Sequence, residues 1–248
     1  LGAACTFNRA CVKPDQYAGD GVLGRWFWFG EQPFLKLNLK GERFCNESGP
    51  YDYMLHSTIM QPHQTYVDIW DANHAAQAEA FDEVGCCRLF PFPNGAKNNI
   101  PMQVVDGMIE KLIEDGYVQK ADTMEELAEK LNLPVETTVA SWKHYNEMAA
   151  AGEDTDYYKK PVFLTPVKQG PFYALKVGPA LLAVCGGLKC NNDFQCLDEN
   201  GEVIEGLYVL GNIMGDITAV DYPINVAGNS HGRCITFGYL LGHELAEA

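Results

Sequence analysis

The chain has 248 residues, 47% of them hydrophobic and 21% charged, so material for a sizeable core is ample and the length suits one or two domains. A net charge of −15 disfavours nucleic acid and anionic membrane surfaces as partners. No apolar run approaches the ~18 residues of a membrane-spanning helix, and Leu1-Gly2-Ala3-Ala4-Cys5 lacks the basic region of a signal peptide.

Residues 1–33 are loop-rich, with Gly19-Asp20-Gly21 as a turn. Leu35-Lys36-Leu37-Asn38-Leu39 alternates with period two and reads as a strand; Lys40-Gly41 then turns the chain into Arg43-Phe44-Cys45 as a hairpin. Thr65 to Trp70 reads as a second strand, His56, His63 and His74 as surface residues, and Pro91 to Asn99 as a loop. The spacing of Val104, Val105, Met108, Ile109 and Leu112 predicts a helix from Met102 to Glu114 with these side chains on one face. A second helix begins at Thr123, where Glu126 completes a capping box. A third starts at Pro134, turns Val135, Val139, Trp142 and Tyr145 toward a core, and ends at Gly152. Asn200-Gly201 predicts a hairpin turn within Leu197 to Ile204.

The last forty residues are the most informative. Leu207, Val209 and Leu210 suit a short buried strand that Gly211 lets the backbone leave sharply. After a loop containing Tyr222-Pro223, Gly228-Asn229-Ser230-His231-Gly232-Arg233 opens an apolar helix that runs to about Ala248. Asn229 or Ser230 can cap that helix, and its first turn presents unpaired N–H groups to a phosphate, a carboxylate or the electron-rich edge of a reduced flavin. The nine cysteines, among them Cys86-Cys87 and the series Cys185, Cys190, Cys196, contain no Cys-X-X-Cys pair. Buried thiols in a reducing or anaerobic setting are expected, and no metal site.

Four ordered segments together resemble the flavoproteins related to fumarate reductase, urocanate reductase and 3-ketosteroid dehydrogenase. They are Gly41-Glu42-Arg43-Phe44-Cys45-Asn46-Glu47; Ala121 to Ala128, similar to the opening of the cap helices; Gly170-Pro171-Phe172-Tyr173-Ala174 with Gly186-Gly187-Leu188-Lys189; and Gly206 to Asn212 followed by Gly228-Asn229-Ser230 and Phe237-Gly238. The resemblance implies an α+β chain in which residues 34–170 form the substrate-capping domain. Residues 1–33 and 171–248 would be the tail and the C-terminal segment of an FAD-binding α/β domain. No Gly-X-Gly-X-X-Gly turn follows a strand here, so the dinucleotide-binding N-terminal half is expected to be a separate or missing part.

By resemblance, Gly211, Asn212, Gly228, Asn229, Ser230 and His231 contact FAD. The proton-delivering arginine of fumarate reductases falls at Tyr51, a substrate histidine at Leu182 or Ala183, and a second arginine near Asn225. A buried dicarboxylate would then lack compensating charge. Asn46-Glu47-Ser48-Gly49-Pro50-Tyr51 and Tyr222-Pro223 resemble instead the active-site segments of 3-ketosteroid dehydrogenases, with Ile224-Asn225 inserted before Val226. Tyr51 would then work on the proton beside a ketone, Tyr222 would polarise the carbonyl, and Asn225 and Val226 would line the substrate. Glu47 is expected to order its loop. The activity implied is FAD-dependent reduction or desaturation of a carbon–carbon bond conjugated to a carbonyl in a small neutral molecule, with an electron donor that the sequence does not name. An acrylate- or fumarate-type reductase using other residues, and a non-catalytic binding or assembly fragment, are the alternatives.

Overall fold

A computed structural model of the chain describes residues 4–22, 32–49, 51–81, 102–184, 186–215, 217 and 228–247. It divides into two compact units, Phe7–Ala180 and a smaller one made of Leu1–Thr6 with Leu181–Ala248. No helix among the described residues is long and apolar enough to cross a membrane.

The larger unit is built on a sheet of β1 (Ala4–Val12), β2 (Leu35–Asn38), β3 (Tyr66–Trp70), β4 (Val118–Ala121) and β5 (Phe172–Val184), in the order β1-β5-β3-β2 with β4 also paired to β5. The pairs β2–β3, β3–β5 and β4–β5 are antiparallel. Helices α1 (Tyr51–Ile59), α2 (His74–Ala80), α3 (Met102–Glu114), α4 (Met124–Lys130) and α5 (Val135–Ala151) complete the unit, so helix and sheet are mixed as the α+β reading expects.

Alternation along the strands sorts side chains into two cores. Tyr66, Trp70, Leu175 and Val177 pack with Val105, Ile109 and Leu112 of α3. Leu35, Leu37, Val67, Ile69 and Ala174 pack with Leu127, Ala128, Val139 and Tyr145 of α4 and α5. Because both faces are covered, the polar positions of β2 are buried as well: Lys36 donates to Asp68 Oδ1 at 3.0 Å and to the Gln32 carbonyl at 2.7 Å. The strand read from the period-two alternation is present at Leu35–Asn38, with all four of its residues buried.

The helix predictions hold at their ends. Thr123 Oγ1 accepts from the Glu126 amide at 3.2 Å, while the Glu126 carboxylate reaches the Asp122 amide. Pro134 occupies the N-cap of α5, and Gly152 ends it in the left-handed conformation. Two readings fail. Val104 and Met108 are exposed, because the face of α3 that packs into the core carries Val105, Ile109 and Leu112, with Ile113 at its edge. His74 is not a surface residue: its ring sits between the Asp71 carbonyl at 3.1 Å and Asp106 at 2.8 Å.

The smaller unit holds β6 (Gln195–Leu197), β7 (Val203–Tyr208) and α6 (Asn229–Glu247). β6 and β7 form a hairpin across Asn200-Gly201, with Gly201 at φ 84°. The unit's small core is Cys196, Val209 and Met214, joined by Cys190, Phe194 and Phe237. Of the residues expected in a buried strand, Val209 is buried and Leu210 half-buried, whereas Leu207 is 41% exposed; Ile235 and Tyr239 of α6 are more exposed still.

Candidate functional site

The cluster that brings predicted residues together lies where residues 211–213 meet the start of α6. Gly211 enters a short 3-10 turn, Gly211–Ile213, at φ 72°. A Cβ at Gly211 would lie 2.7 Å from Cys234 Sγ, so only glycine lets the turn approach α6 this closely. Asn212 follows, and its Oδ1 accepts from Ser230 Oγ and from Arg233 Nη2, each at 2.8 Å. Two donors on one oxygen fix the orientation of the amide and leave its Nδ2 group to donate elsewhere.

α6 begins one residue earlier than a cap at Asn229 requires and two earlier than a cap at Ser230 requires. Both belong to the helix, and the Gly228 carbonyl accepts the first bond of the turn from Gly232 at 2.8 Å. Gly228 at φ 75° is thus the residue of entry, and the Ser230 hydroxyl serves Asn212 instead of the helix. The first turn carries no acidic residue, so its leading amides keep their partial positive charge uncompensated. His231 is exposed.

Arg233 is the residue that sequence reasoning left without a role. Its Nε and Nη1 are buried with no hydrogen-bond partner among the described residues. A buried orphan donor costs about 1–3 kcal/mol, and more when charged, so these two groups call for an acceptor. With the amide end of α6 and Asn212 Nδ2, they make a set of donors that fits an acceptor-rich, electron-rich group. FAD has such groups in its pyrimidine edge and its phosphates. A signal did exist in the sequence: an arginine one turn into a helix that opens on Gly-Asn-Ser.

Of the other predicted residues, Tyr222, Asn225 and Val226 lie outside the described residues. Tyr51 opens α1, and the segment leading to it is anchored firmly. Arg43 forms a two-pronged pair with Glu47, at 2.9 Å from Nε and 2.9 Å from Nη2, and a second pair with Asp154, at 3.1 Å from Nη1 and 2.8 Å from Nη2. Lys159 Nζ lies 3.3 Å from Glu47 and donates to the Pro33 carbonyl and the Tyr145 hydroxyl. Burial works to raise the Glu47 carboxyl, but Lys159 and Arg43 overcome it and hold it below the usual range. Burial likewise opposes ionisation of Asp154, and hydrogen bonds from Arg43 and the Tyr157 amide carry it well below that range. Beyond this hub, Asn46 Oδ1 accepts from the Ser48 amide and hydroxyl, and its Nδ2 donates to the Tyr157 carbonyl. Glu47 therefore serves as a counter-charge at the base of the loop.

Comparison with known proteins agrees with this chemistry. The family model described as "FAD binding domain" matches residues 29–225. Vinyl phenol reductase of Lactiplantibacillus plantarum is 31% identical over 88% of this chain, and 3-oxosteroid 1-dehydrogenase of Mycolicibacterium smegmatis is 30% identical over 89% of it. The chain spans 44% and 40% of the lengths of those two relatives. Among solved structures, 3-ketosteroid delta1-dehydrogenase from Sterolibacterium denitrificans superposes with a TM-score of 0.69 at 22% identity, over 99% of this chain and 43% of that one, a likeness of fold.

Proposed function

This chain belongs to the FAD binding domain family, and from that premise we propose that it serves an FAD-dependent oxidoreductase that reduces or desaturates a carbon–carbon bond conjugated to a carbonyl. The substrate is neutral or aromatic and not a dicarboxylate. The observation that carries the cofactor half of this reading is the pair of buried, unpartnered Arg233 N–H groups beside Asn212 at the opening of α6. The names of the relatives, a vinyl phenol reductase and a 3-oxosteroid dehydrogenase, support the substrate half. Residues 34–170 cap the substrate, while 1–33 and 171–248 belong to the FAD-binding domain. A preceding dinucleotide-binding unit and an external electron donor complete the enzyme.

FAD, when bound, supplies the two-electron exchange with the substrate. Arg233 and the amides of Asn229, Ser230 and His231 hold its electron-rich edge, and Asn212 Nδ2 meets a ribose or ribityl hydroxyl. Gly211 and Gly228 keep both backbone segments near enough to do so. Tyr222 donates to the carbonyl oxygen as negative charge develops there, and Tyr51 exchanges the proton on the carbon beside it. Phenols, with an ordinary pKa of about 10, remain protonated at neutral pH and suit both tasks. Asn225 and Val226 contact the substrate. With Tyr and Asn where fumarate reductases have guanidinium groups, a dicarboxylate would be buried without partners at a cost of several kcal/mol.

The test is an FAD titration of the purified chain, followed by the flavin's visible absorbance and by quenching of its fluorescence. Uptake is expected, and Arg233→Met should weaken it about tenfold or more, since a hydrogen bond to a charged group contributes roughly 1.5–3 kcal/mol. A folded chain that stays colourless with FAD, also when combined with a dinucleotide-binding half, overturns the reading in favour of a non-catalytic binding or assembly role.

A further inference from the structure

The smaller unit carries a second chemical feature that the flavin reading leaves unused. Cys190 and Cys196 face one another across an antiparallel bridge, and neither belongs to a disulfide. The Asn191 amide donates to the Gln195 carbonyl at 3.0 Å on one side of the pair, and the Leu197 amide donates to the Lys189 carbonyl at 2.9 Å on the other. Bonds placed one residue outside the pair on each side identify it as a non-hydrogen-bonded position, where facing Cα atoms come to about 4.5 Å and both side chains leave the ribbon on the same face. Disulfides span Cα separations of roughly 4.4–6.8 Å, so the pair sits at the short end of what the bond tolerates.

The intervening turn holds the two thiols in this register. Asn191 Oδ1 accepts from the Asp193 and Gln195 amides, both at 3.0 Å, and Asn191 Nδ2 donates to Gln195 Oε1 at 2.9 Å. Cys196 is buried at 1% exposure and Cys190 is partly exposed, so a reagent reaches Cys190 first. The spacing of five residues between them is too wide for a metal-binding Cys-X-X-Cys, which is why the sequence pattern gave the pair no role.

We propose that Cys190 and Cys196 are a redox modification site that closes a reversible cross-strand disulfide, with a low-molecular-weight disulfide such as oxidised glutathione as the oxidant. The Cys190 thiolate attacks one sulfur of the oxidant, forming a mixed disulfide and releasing one small thiol. Cys196 then gives up its proton and attacks the Cys190 sulfur, forming the protein disulfide and releasing the second small thiol. Two protein thiols are oxidised and one external disulfide is reduced, and the two protons pass to the two departing thiolates. A bond made at the short end of the permitted range is opened readily by excess thiol. The site has a route to Asn212: the Leu188 amide donates to the Ile213 carbonyl at 3.0 Å and the Gly215 amide to the Leu188 carbonyl at 2.8 Å, which joins this hairpin to residues 211–215. The proposal does not rest on the flavin reading.

Trypsin makes the test direct. Cleavage after Lys189 and Arg233 gives one peptide, 190–233, whose only cysteines are these two. The full chain is equilibrated with mixtures of oxidised and reduced glutathione, quenched in acid, alkylated, digested and weighed. In the oxidising mixtures the peptide is expected to be lighter by two hydrogens and to carry no alkyl group. In the reducing mixtures it should carry two, with a smooth transition between. Cys196→Ser should instead trap Cys190 as its mixed disulfide with glutathione. A peptide that stays doubly alkylated in the most oxidising mixture, keeps glutathione on Cys190 without closing, or is cross-linked to the peptide containing Cys185 overturns the proposal.

Discussion

Replacing Arg43 with Met tests whether the buried hub holds the segment that leads to Tyr51. Methionine roughly keeps the volume of the stem and removes the guanidinium, with its four hydrogen bonds to Glu47 and Asp154. It also removes the cation that lies 5.1 Å from the centroid of the Tyr145 ring and 5.1 Å from that of the Tyr157 ring. Breaking a buried ion pair from one side costs about 3–5 kcal/mol, because the remaining charge is left uncompensated. Compensation here is partial. Glu47 keeps Lys159 at 3.3 Å, and Asp154 keeps the amides of Asp156, Tyr157 and Lys159. The loss should therefore fall near the low end, about 3 kcal/mol, or roughly 6–12 °C in Tm for a chain of this size. Urea denaturation followed by circular dichroism measures it. The Arg43→Met/Glu47→Gln cycle should show a coupling of at least about 1 kcal/mol. Glu47 and Asp154 have folded pKa values below their unfolded ones, so their contribution is present above the ordinary carboxylate range and is lost as pH falls through it. Arg43→Met should thus begin its acid unfolding at a higher pH than the native chain. A loss below about 1 kcal/mol with no coupling would refute the argument that this hub is held by charge.

Asp68 provides the opposite pH signature. Burial pushes its carboxyl up to about 6 despite Lys36 beside it. Its contribution is therefore complete below the unfolded pKa and lost as pH rises through 6. Asp68→Asn should flatten the wild-type stability curve between about pH 4 and 6, and an unchanged difference curve across that window would reject the assignment. Gly41 sits at φ 77°, and a Cβ there would lie 2.5 Å from Thr138 Oγ1 and 2.8 Å from the Thr138 amide nitrogen. Gly41→Ala should cost about 2–4 kcal/mol in thermal or urea unfolding, from left-handed strain and overlap with fixed backbone. A neutral result would mean that α5 shifts freely. For the reconstituted enzyme, Tyr222→Phe is expected to lower enone turnover by roughly 10²-fold, as loss of an oxyanion donor does; rates equal to those of the native chain would remove Tyr222 from the mechanism.

How much of this was legible depends on the range of the interactions. Met102–Glu114, the Thr123 cap, the Gly152 stop and the Asn200-Gly201 turn are set by hydrogen bonds and side-chain spacing within a few residues, so a window of sequence contains their causes. Gly211, Asn212 and Ser230 were singled out together through a motif, and they do meet. Arg233 stands one turn into a helix that opens on Gly-Asn-Ser, a local signal for its position, but the burial of its Nε and Nη1 without a partner among the described residues is a tertiary outcome. The burial of Lys36, Arg43 and Lys159 has no local cause, because they hold partners 32, 111 and 126 positions away in the chain.

The sequence by itself determined α3, the start of α4, both ends of α5, the Asn200-Gly201 turn and the glycine-led opening of α6, because each is a matter of local backbone hydrogen bonding and of a few neighbouring side chains. Only the tertiary structure decided which charges are buried, which face of α3 meets the sheet, and that Cys190 stands opposite Cys196. Those outcomes depend on water being excluded by distant parts of the chain, and on the register of paired strands, neither of which a short window of residues contains.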